Sequence, residues 1–151
     1  MIAVGDYGGQ IHFWNVKYNE AGKREITKEC RYKFQYGIRS VAWHPTEHYT
    51  CIVGLFTGYF FYIDPMKDIV LDIGTVGNTC TRLHWYTADG KNFLIATSTK
   101  SIVQIWEHLH DNEFKMLVQW TAHTSFDDPH NQIVVVYPEV WNVYTRPYQG
   151  D

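Results

Sequence analysis

The chain has 151 residues, 45% of them apolar and 17% aromatic, with a formal net charge of −3. That is enough material for one domain with a buried core, and the aromatic share favours strands. The acidic balance and the lack of a long charge run exclude a disordered polyelectrolyte and a protein that coats nucleic acid through a broad basic surface. A small aromatic pocket that stacks on one base stays open.

In chain order the predicted strands are Ile2–Val4, Gln10–Val16, Cys30–Phe34, Ile38–His44, Thr50–Leu55, Tyr59–Ile63, Ile69–Ile73, Thr81–Tyr86, Asn92–Thr97, Ile102–Trp106 and Met116–Thr121, followed by Ile133–Tyr137 and Val140–Thr145. Each is a short apolar run broken by Gly, Asp, Asn or Pro, the pattern of antiparallel hairpins and meanders. Two connections are longer: the polar, charged Lys17 to Lys28, and Ala122 to Asn131 with its Asp127-Asp128-Pro129 turn signal. Glu107 to Lys115 is the only stretch with room for a helical turn or two.

Cys30, Cys51 and Cys80 are unevenly spaced and form no C-x-x-C pair, so reduced thiols are expected. The opening Met1-Ile2-Ala3-Val4-Gly5-Asp6 does not read as a secretory leader. No apolar run approaches the ~20 residues that cross a bilayer. The expectation is a soluble intracellular protein without membrane insertion, cytoplasmic or nuclear.

An internal repeat is the most informative feature. Gly5-Asp6-Tyr7-Gly8-Gly9-Gln10-Ile11-His12-Phe13-Trp14-Asn15 aligns without a gap with Gly54-Leu55-Phe56-Thr57-Gly58-Tyr59-Phe60-Phe61-Tyr62-Ile63-Asp64. A third copy runs from Thr97 to Glu107, so the anchors Trp14, Ile63 and Trp106 are spaced by 49 and 43 residues. Trp43 lies 20 residues before Ile63 and Trp85 lies 21 before Trp106, which keeps a second landmark in the same register.

A period of roughly 40–45 residues with four short strands per unit resembles the WD repeat, in which each unit forms one blade of a β-propeller. The closing pair of that family, Trp-Asp, has as its counterparts Trp14-Asn15, Ile63-Asp64 and Trp106-Glu107. The resemblance implies an all-β, WD-repeat-like propeller of four-stranded antiparallel sheets, entered at the second strand of its first blade. It implies three blades and a shortened fourth unit, where Trp141-Asn142-Val143 echoes Trp14-Asn15-Val16. Blade segments of approximately 1–36, 37–79, 80–121 and 122–151 are expected within a single partial domain. The family's buried Asp would sit seven residues before the Trp, where this chain has Tyr7, Phe56 and Thr99. Ala122-His123 is the nearest match to its Gly-His pair. The polar set is therefore expected to be missing, with aromatic packing in its place.

Propellers have four to eight blades, so three leave open faces. The remaining blades would come from a longer parent chain, a second copy or another subunit.

Trp14, Trp43, Trp85, Trp106, Trp120 and Trp141 sit at strand positions and read as blade core rather than as a stacking platform. Trp14 and Trp106 are expected to be buried equivalents, with Ile63 in the same place between them. His108-x-His110 with His123 and His130 lacks a supporting Cys or carboxylate pattern, and no metal or other cofactor is expected. Asp127-Asp128 reads as a turn, and Gly5-x-x-Gly8-Gly9 precedes a strand and so is no phosphate loop. No nucleophile motif appears, and an enzyme is not expected.

The reading that results is a scaffold or interaction module in a multi-subunit intracellular complex, resting on fold analogy. Its partners would be other protein subunits, including those that complete the propeller. A propeller that reads nucleic acid through face aromatics is the alternative, with the acidic balance against it, and a propeller enzyme stands third. The candidate contact residues are Lys23 and Arg24 in the Lys17–Lys28 loop and His48 in the Thr46–Tyr49 turn. Lys91 in the Ala88–Lys91 turn joins them, with His123 and Asp127 in the Ala122–Asn131 loop.

Overall fold

The computed structural model describes residues 1–122, 132–136 and 142–146. The first sheet holds β1 (Ile2–Gly5), β2 (Gln10–Tyr18) and β3 (Arg24–Lys33). The second holds β4 (Ile38–Trp43), β5 (Cys51–Leu55), β6 (Tyr59–Asp64) and β7 (Ile69–Thr75). The third holds β8 (Cys80–Ala88), β9 (Lys91–Ser98), β10 (Ile102–His108) and β11 (Phe114–Thr121). A hairpin of β12 (Gln132–Val136) and β13 (Asn142–Arg146) follows. In all three sheets the strands run antiparallel in chain order, as an up-and-down meander. Between β10 and β11 the chain makes one 3₁₀ turn at His110–Asn112, inside the stretch that sequence left open to a helical turn.

The stretch from Lys17 to Lys28 is not the loop its polarity suggested. β2 and β3 extend through it and pair as far as Tyr18 with Arg24, so the connection is a tight turn at residues 19–23. Asn19 builds that turn: its Oδ1 accepts from the amides of Ala21 and Lys23. Lys17 opposite Glu25 places unlike charges across the ladder, which stabilises a polar ribbon whose composition alone reads as coil.

The sheets stack through two apolar seams. Ile11 and Phe13 of the first sheet meet Ile38, Cys51, Val53, Leu55 and Ile63 of the second. Ile52, Phe60 and Tyr62 of the second meet Leu83, Trp85, Leu94 and Ala96 of the third. Alternate residues of β5 thus enter opposite seams, and all five are buried. This is why Cys51–Leu55 reads as a continuous apolar run instead of an alternating one.

Glycine sets how closely the sheets approach. A Cβ on Gly54 would fall 2.7 Å from the Cys80 sulfur and 2.6 Å from Ser40 Oγ, and one on Gly5 would fall 2.7 Å from Ile38 Cγ2. Ile38 and Cys80 are the first residues of β4 and β8, so the two glycines meet equivalent neighbours.

The three anchors occupy the fifth position of β2, β6 and β10, the next-to-last strand of each sheet. Their burial differs: Ile63 is buried, whereas Trp14 and Trp106 are half-buried, contrary to the expectation of buried tryptophans. The positions buried in every sheet are the second and fourth, namely Ile11 and Phe13, Phe60 and Tyr62, Val103 and Ile105. Trp106 keeps its indole N–H paired to Gln104 Oε1 at 3.0 Å, and Gln104 donates onward to the Thr75 carbonyl of the second sheet.

Trp43 and Trp85 hold equivalent places, yet Trp43 is 38% exposed and Trp85 only 5%. Trp85 lies beneath His44 at the end of β4, with ring centroids 4.4 Å apart. The first sheet has three strands and offers no such residue to Trp43, which is left touching Phe13.

The polar turn chemistry is also present, one residue upstream of the position where the family pattern sought it. Asp6 Oδ1 accepts from the Gln10 amide at 2.9 Å, and Ser98 Oγ accepts from Ile102 at 3.3 Å. Between them Leu55 fills the equivalent place as a buried apolar residue. Trp141, His123, His130, Asp127 and the rest of the Ala122–Asn131 loop after Ala122 lie outside the described residues.

Candidate functional site

An up-and-down meander sends its turns alternately to two ends. At one end lie the turns β1–β2, β5–β6 and β9–β10 together with the links between sheets, and we term it the closed end. There the residue after each sheet's last strand donates to the carbonyl of the last turn residue: Phe34 to Gly9 at 2.7 Å, Val76 to Gly58 at 3.0 Å, and Ala122 to Ser101 at 2.7 Å. Those acceptors sit at φ of 88°, 97° and 59°, the left-handed conformation each turn requires. Links across the end add Ile38 to Asp6, Phe56 to Gly37 and Thr99 to Thr79.

At the other end the β4–β5, β6–β7, β8–β9 and β10–β11 turns frame a cleft of about 820 Å³ between the second and third sheets, bridged where Asn92 donates to Thr46 Oγ1 at 3.0 Å. His48, Tyr62, Lys67, Lys91, His108 and His110 are among its lining residues. His44 lies behind its floor, bonded to the lining residue His108. The amides of Thr46 and Glu47 both donate to His44 Nδ1, at 3.2 and 2.9 Å, so this ring carries its proton on Nε2. That Nε2–H points at His108 Nδ1, 2.9 Å away, which must accept. Tyr62 donates its hydroxyl to Glu47 Oε2 at 2.7 Å, and Glu47 Oε1 stands 3.9 Å from His108 Nδ1. His108 stacks flat on Phe114, with centroids 4.4 Å apart.

Burial lowers the pKa of His44 to about 4; Glu47 opposes that shift and His108 adds to it. Burial lowers His108 too, again opposed by Glu47. Both rings are neutral at neutral pH, as the hydrogen bonds between them require.

His44, Glu47 and His108 bring potential ligand atoms within 4.8 Å of one another. The donor set does not fit a metal ion. A metal on His44 Nε2 would need the proton on Nδ1, where it would face two donating amides. His108 Nδ1 is already an acceptor of His44. The histidines are better described as a neutral bridge that closes the seam over Trp85.

His48 and Lys91, far apart in sequence, line the same cleft. Lys91 reaches Glu107 at 3.7 Å along the third-sheet wall, from β9 to the neighbouring β10. Lys23 and Arg24 lie at the same end but on the first sheet, outside the cleft, with Arg24 over the Tyr18 ring. Of the histidines flagged in the sequence, His108 lies at the cleft floor, half-buried, and His110 is exposed on its rim. Sequence reading missed His44, Glu47 and Tyr62. The spacing from His44 to His108 is 64 residues and forms no motif, and its only signal was that His44 follows an anchor tryptophan.

The fold is a WD-repeat-like β-propeller in the form of an incomplete arc, all-β with three antiparallel sheets of three or four strands. Solved structures place that fold among known ones. A crystal structure of Sqt1 from Chaetomium thermophilum matches with a TM-score of 0.60 and 18% identity over 82% of this chain and 34% of that chain. The Chaetomium thermophilum Sqt1 bound to the N-terminus of the ribosomal protein L10 matches with a TM-score of 0.60 and 17% identity, over 79% of this chain and 34% of that chain. The chain therefore spans about a third of the length of the structures it resembles. No protein-family model matches it, and no curated protein does. Among the described residues no helix is long and apolar enough to cross a membrane.

Proposed function

We propose that this chain is a protein-interaction module that receives a segment of a partner protein in the cleft between its second and third sheets, within an intracellular multi-subunit assembly. The observation that carries this reading is the pairing of a closed end, bonded turn to turn, with an open end. The open end displays His48, Lys91, Lys67 and His110 around an 820 Å³ cleft. Rigid sheets under variable turns are suited to recognition. One of the similar structures was solved with the N-terminus of another protein bound, which supports a propeller used for peptide capture.

Binding is favoured over catalysis by the cleft's own bonding. His108 at its floor is engaged by His44 behind it, and the hydroxyls of Thr50 and Tyr62 donate to the carbonyl and the carboxylate of Glu47. Burial and the Glu47 carboxylate raise the Tyr62 phenol above its ordinary range, which disfavours the phenolate a nucleophile would need.

A photo-crosslinking residue placed at His48, and as control at Tyr7 on the closed end, tests this. The reading expects one partner captured from His48 and not from Tyr7. Its affinity should fall about tenfold in Lys91→Glu while the melting temperature holds, the loss of roughly one strong contact. Equal capture from both ends, or affinity indifferent to Lys91, would overturn it.

A further inference from the structure

The first sheet presents a second surface of different chemistry. Its inner face, with Ile11, Phe13, Cys30 and Tyr32, packs on the second sheet. Its outer face is fixed by pairing register. Along β2 it carries Gln10, His12, Trp14, Val16 and Tyr18, and opposite them on β3 stand Lys33, Arg31, Lys28, Ile26 and Arg24. On β1 the same face carries Val4 and Ile2, opposite His12 and Trp14.

Four cations therefore share one face. Neither acid of β3 pairs into it: Glu25 lies opposite Lys17, and Glu29 is the unpaired bulge residue. Residues 1–36 hold six Lys and Arg against four Asp and Glu, a net of +2, whereas residues 37–151 hold seven against twelve, a net of −5. The apolar residues are open to solvent: Ile2 and Val4 are 50% exposed and Ile26 59%. The face grades from aliphatic on β1, through aromatic on β2, to cationic on β3.

We propose that this outer face docks an acidic protein surface, apolar where it meets β1 and carrying carboxylates where it meets β3. An apolar zone on β1 and β2 bordered on one side by the charges of β3 matches the pairing of apolar core and polar rim in protein interfaces. Charge complementarity sets the sign of the partner, since a face with four cations repels another basic surface. Single-stranded nucleic acid fits less well, because bases need bare rings on which to stack. Here Lys28 Nζ lies over Trp14 at 5.8 Å and Arg24 over Tyr18 at 5.9 Å, so the ring faces are occupied by cations. Lys33 is held by the Gly8 carbonyl, which leaves Lys28 and Arg31 at the centre of the cationic strip.

The surface is separate from the cleft, and so is its test. Three probes are titrated against the full chain while Trp fluorescence is followed: a peptide alternating valine and glutamate, its valine–lysine counterpart, and a thymidine oligonucleotide. The glutamate peptide should bind best. Lys28→Glu with Arg31→Glu should weaken it by about fivefold or more, the scale of two exposed ion pairs. Lys28→Gln with Arg31→Gln should weaken it less while melting unchanged, and His48→Ala should leave it alone. Tighter binding of the oligonucleotide would overturn the proposal in favour of a nucleic-acid surface. Equal binding of the lysine peptide would reduce the face to unselective apolar contact. Binding indifferent to Lys28 and Arg31 would also sink it, whatever becomes of the cleft.

Discussion

At the closed end each of the three sheets makes the same backbone bond, from the residue after its last strand to a left-handed turn residue. At the cleft end a common backbone bond joins only two of the corresponding turns, Asn19 to Lys23 and Leu109 to Glu113, and the β6–β7 turn is built otherwise. One is built on Asn19, another on Asp64, which accepts from the amides of Met66 and Lys67, and a third on a 3₁₀ turn. The repeat thus governs one end of the molecule throughout and the other only in part, where individual side chains also shape the turns. Backbone bonds survive almost any substitution, so a divergent sequence keeps its closed end. Chemistry on side chains is free to differ between otherwise equal sheets.

The sharpest way to break this comparison is to compare one substitution near the closed end with one at the cleft. Gly54→Val would drive a branched side chain into Cys80 and Ser40, where even a Cβ is too close. A destabilisation on the order of 3 kcal/mol or more is expected, because the seam has no room to yield. His48→Ala, on an exposed turn, should stay within about 0.5 kcal/mol. Urea unfolding of the two variants measures both. Similar costs would show that the cleft end is as constrained as the seam.

The strand order was legible because apolar alternation and turn residues report local geometry, and the positions that failed are those where a neighbouring sheet decides. Gly5 and Gly54 fell into one column of the repeat, yet only the stacking shows that Ile38 and Cys80 require them. Trp43 and Trp85 look alike in sequence and part company through what covers them. Charge at Lys17 to Lys28 imitated a loop because an edge ribbon is solvated on both faces. The histidine bridge was invisible for a related reason: His44 and His108 belong to different sheets and meet only when these stack.

That bridge gives the cleft end a pH dependence the closed end lacks. His44 titrates near about 4 when folded, against 6.5 when free, and His108 is lowered as well. Between those values the unfolded chain binds more protons than the folded one, so stability falls as pH drops from about 6.5 towards about 4. The loss should be on the order of 2 kcal/mol across that window. Thermal melts between pH 7 and pH 4 measure it. His44→Asn, whose Oδ1 can still accept from the Thr46 and Glu47 amides, should flatten the slope. A variant as acid-sensitive as the parent would place the titrating group elsewhere.

The smallest expected effect tests the two ends with the same chemical change, removal of one hydroxyl. Thr79 donates to the Phe56 carbonyl at 2.8 Å at the closed end, and Tyr62 donates to Glu47 at 2.7 Å in the cleft. Thr79→Val strips a partner from the carbonyl of Phe56, an exposed residue that water also reaches, and should cost about 1 kcal/mol. Tyr62→Phe keeps the buried ring, and the acceptor it abandons is the exposed carboxylate of Glu47, which water reaches at once. Its cost should stay below about 1 kcal/mol, the net value of a hydrogen bond whose acceptor is resolvated. Urea titrations on matched protein resolve such a difference when the dependence on denaturant is unchanged. If Tyr62→Phe proved the costlier of the two, the Glu47 contact would be part of what holds the second and third sheets together, and the cleft end could no longer be treated as the more permissive end of the molecule.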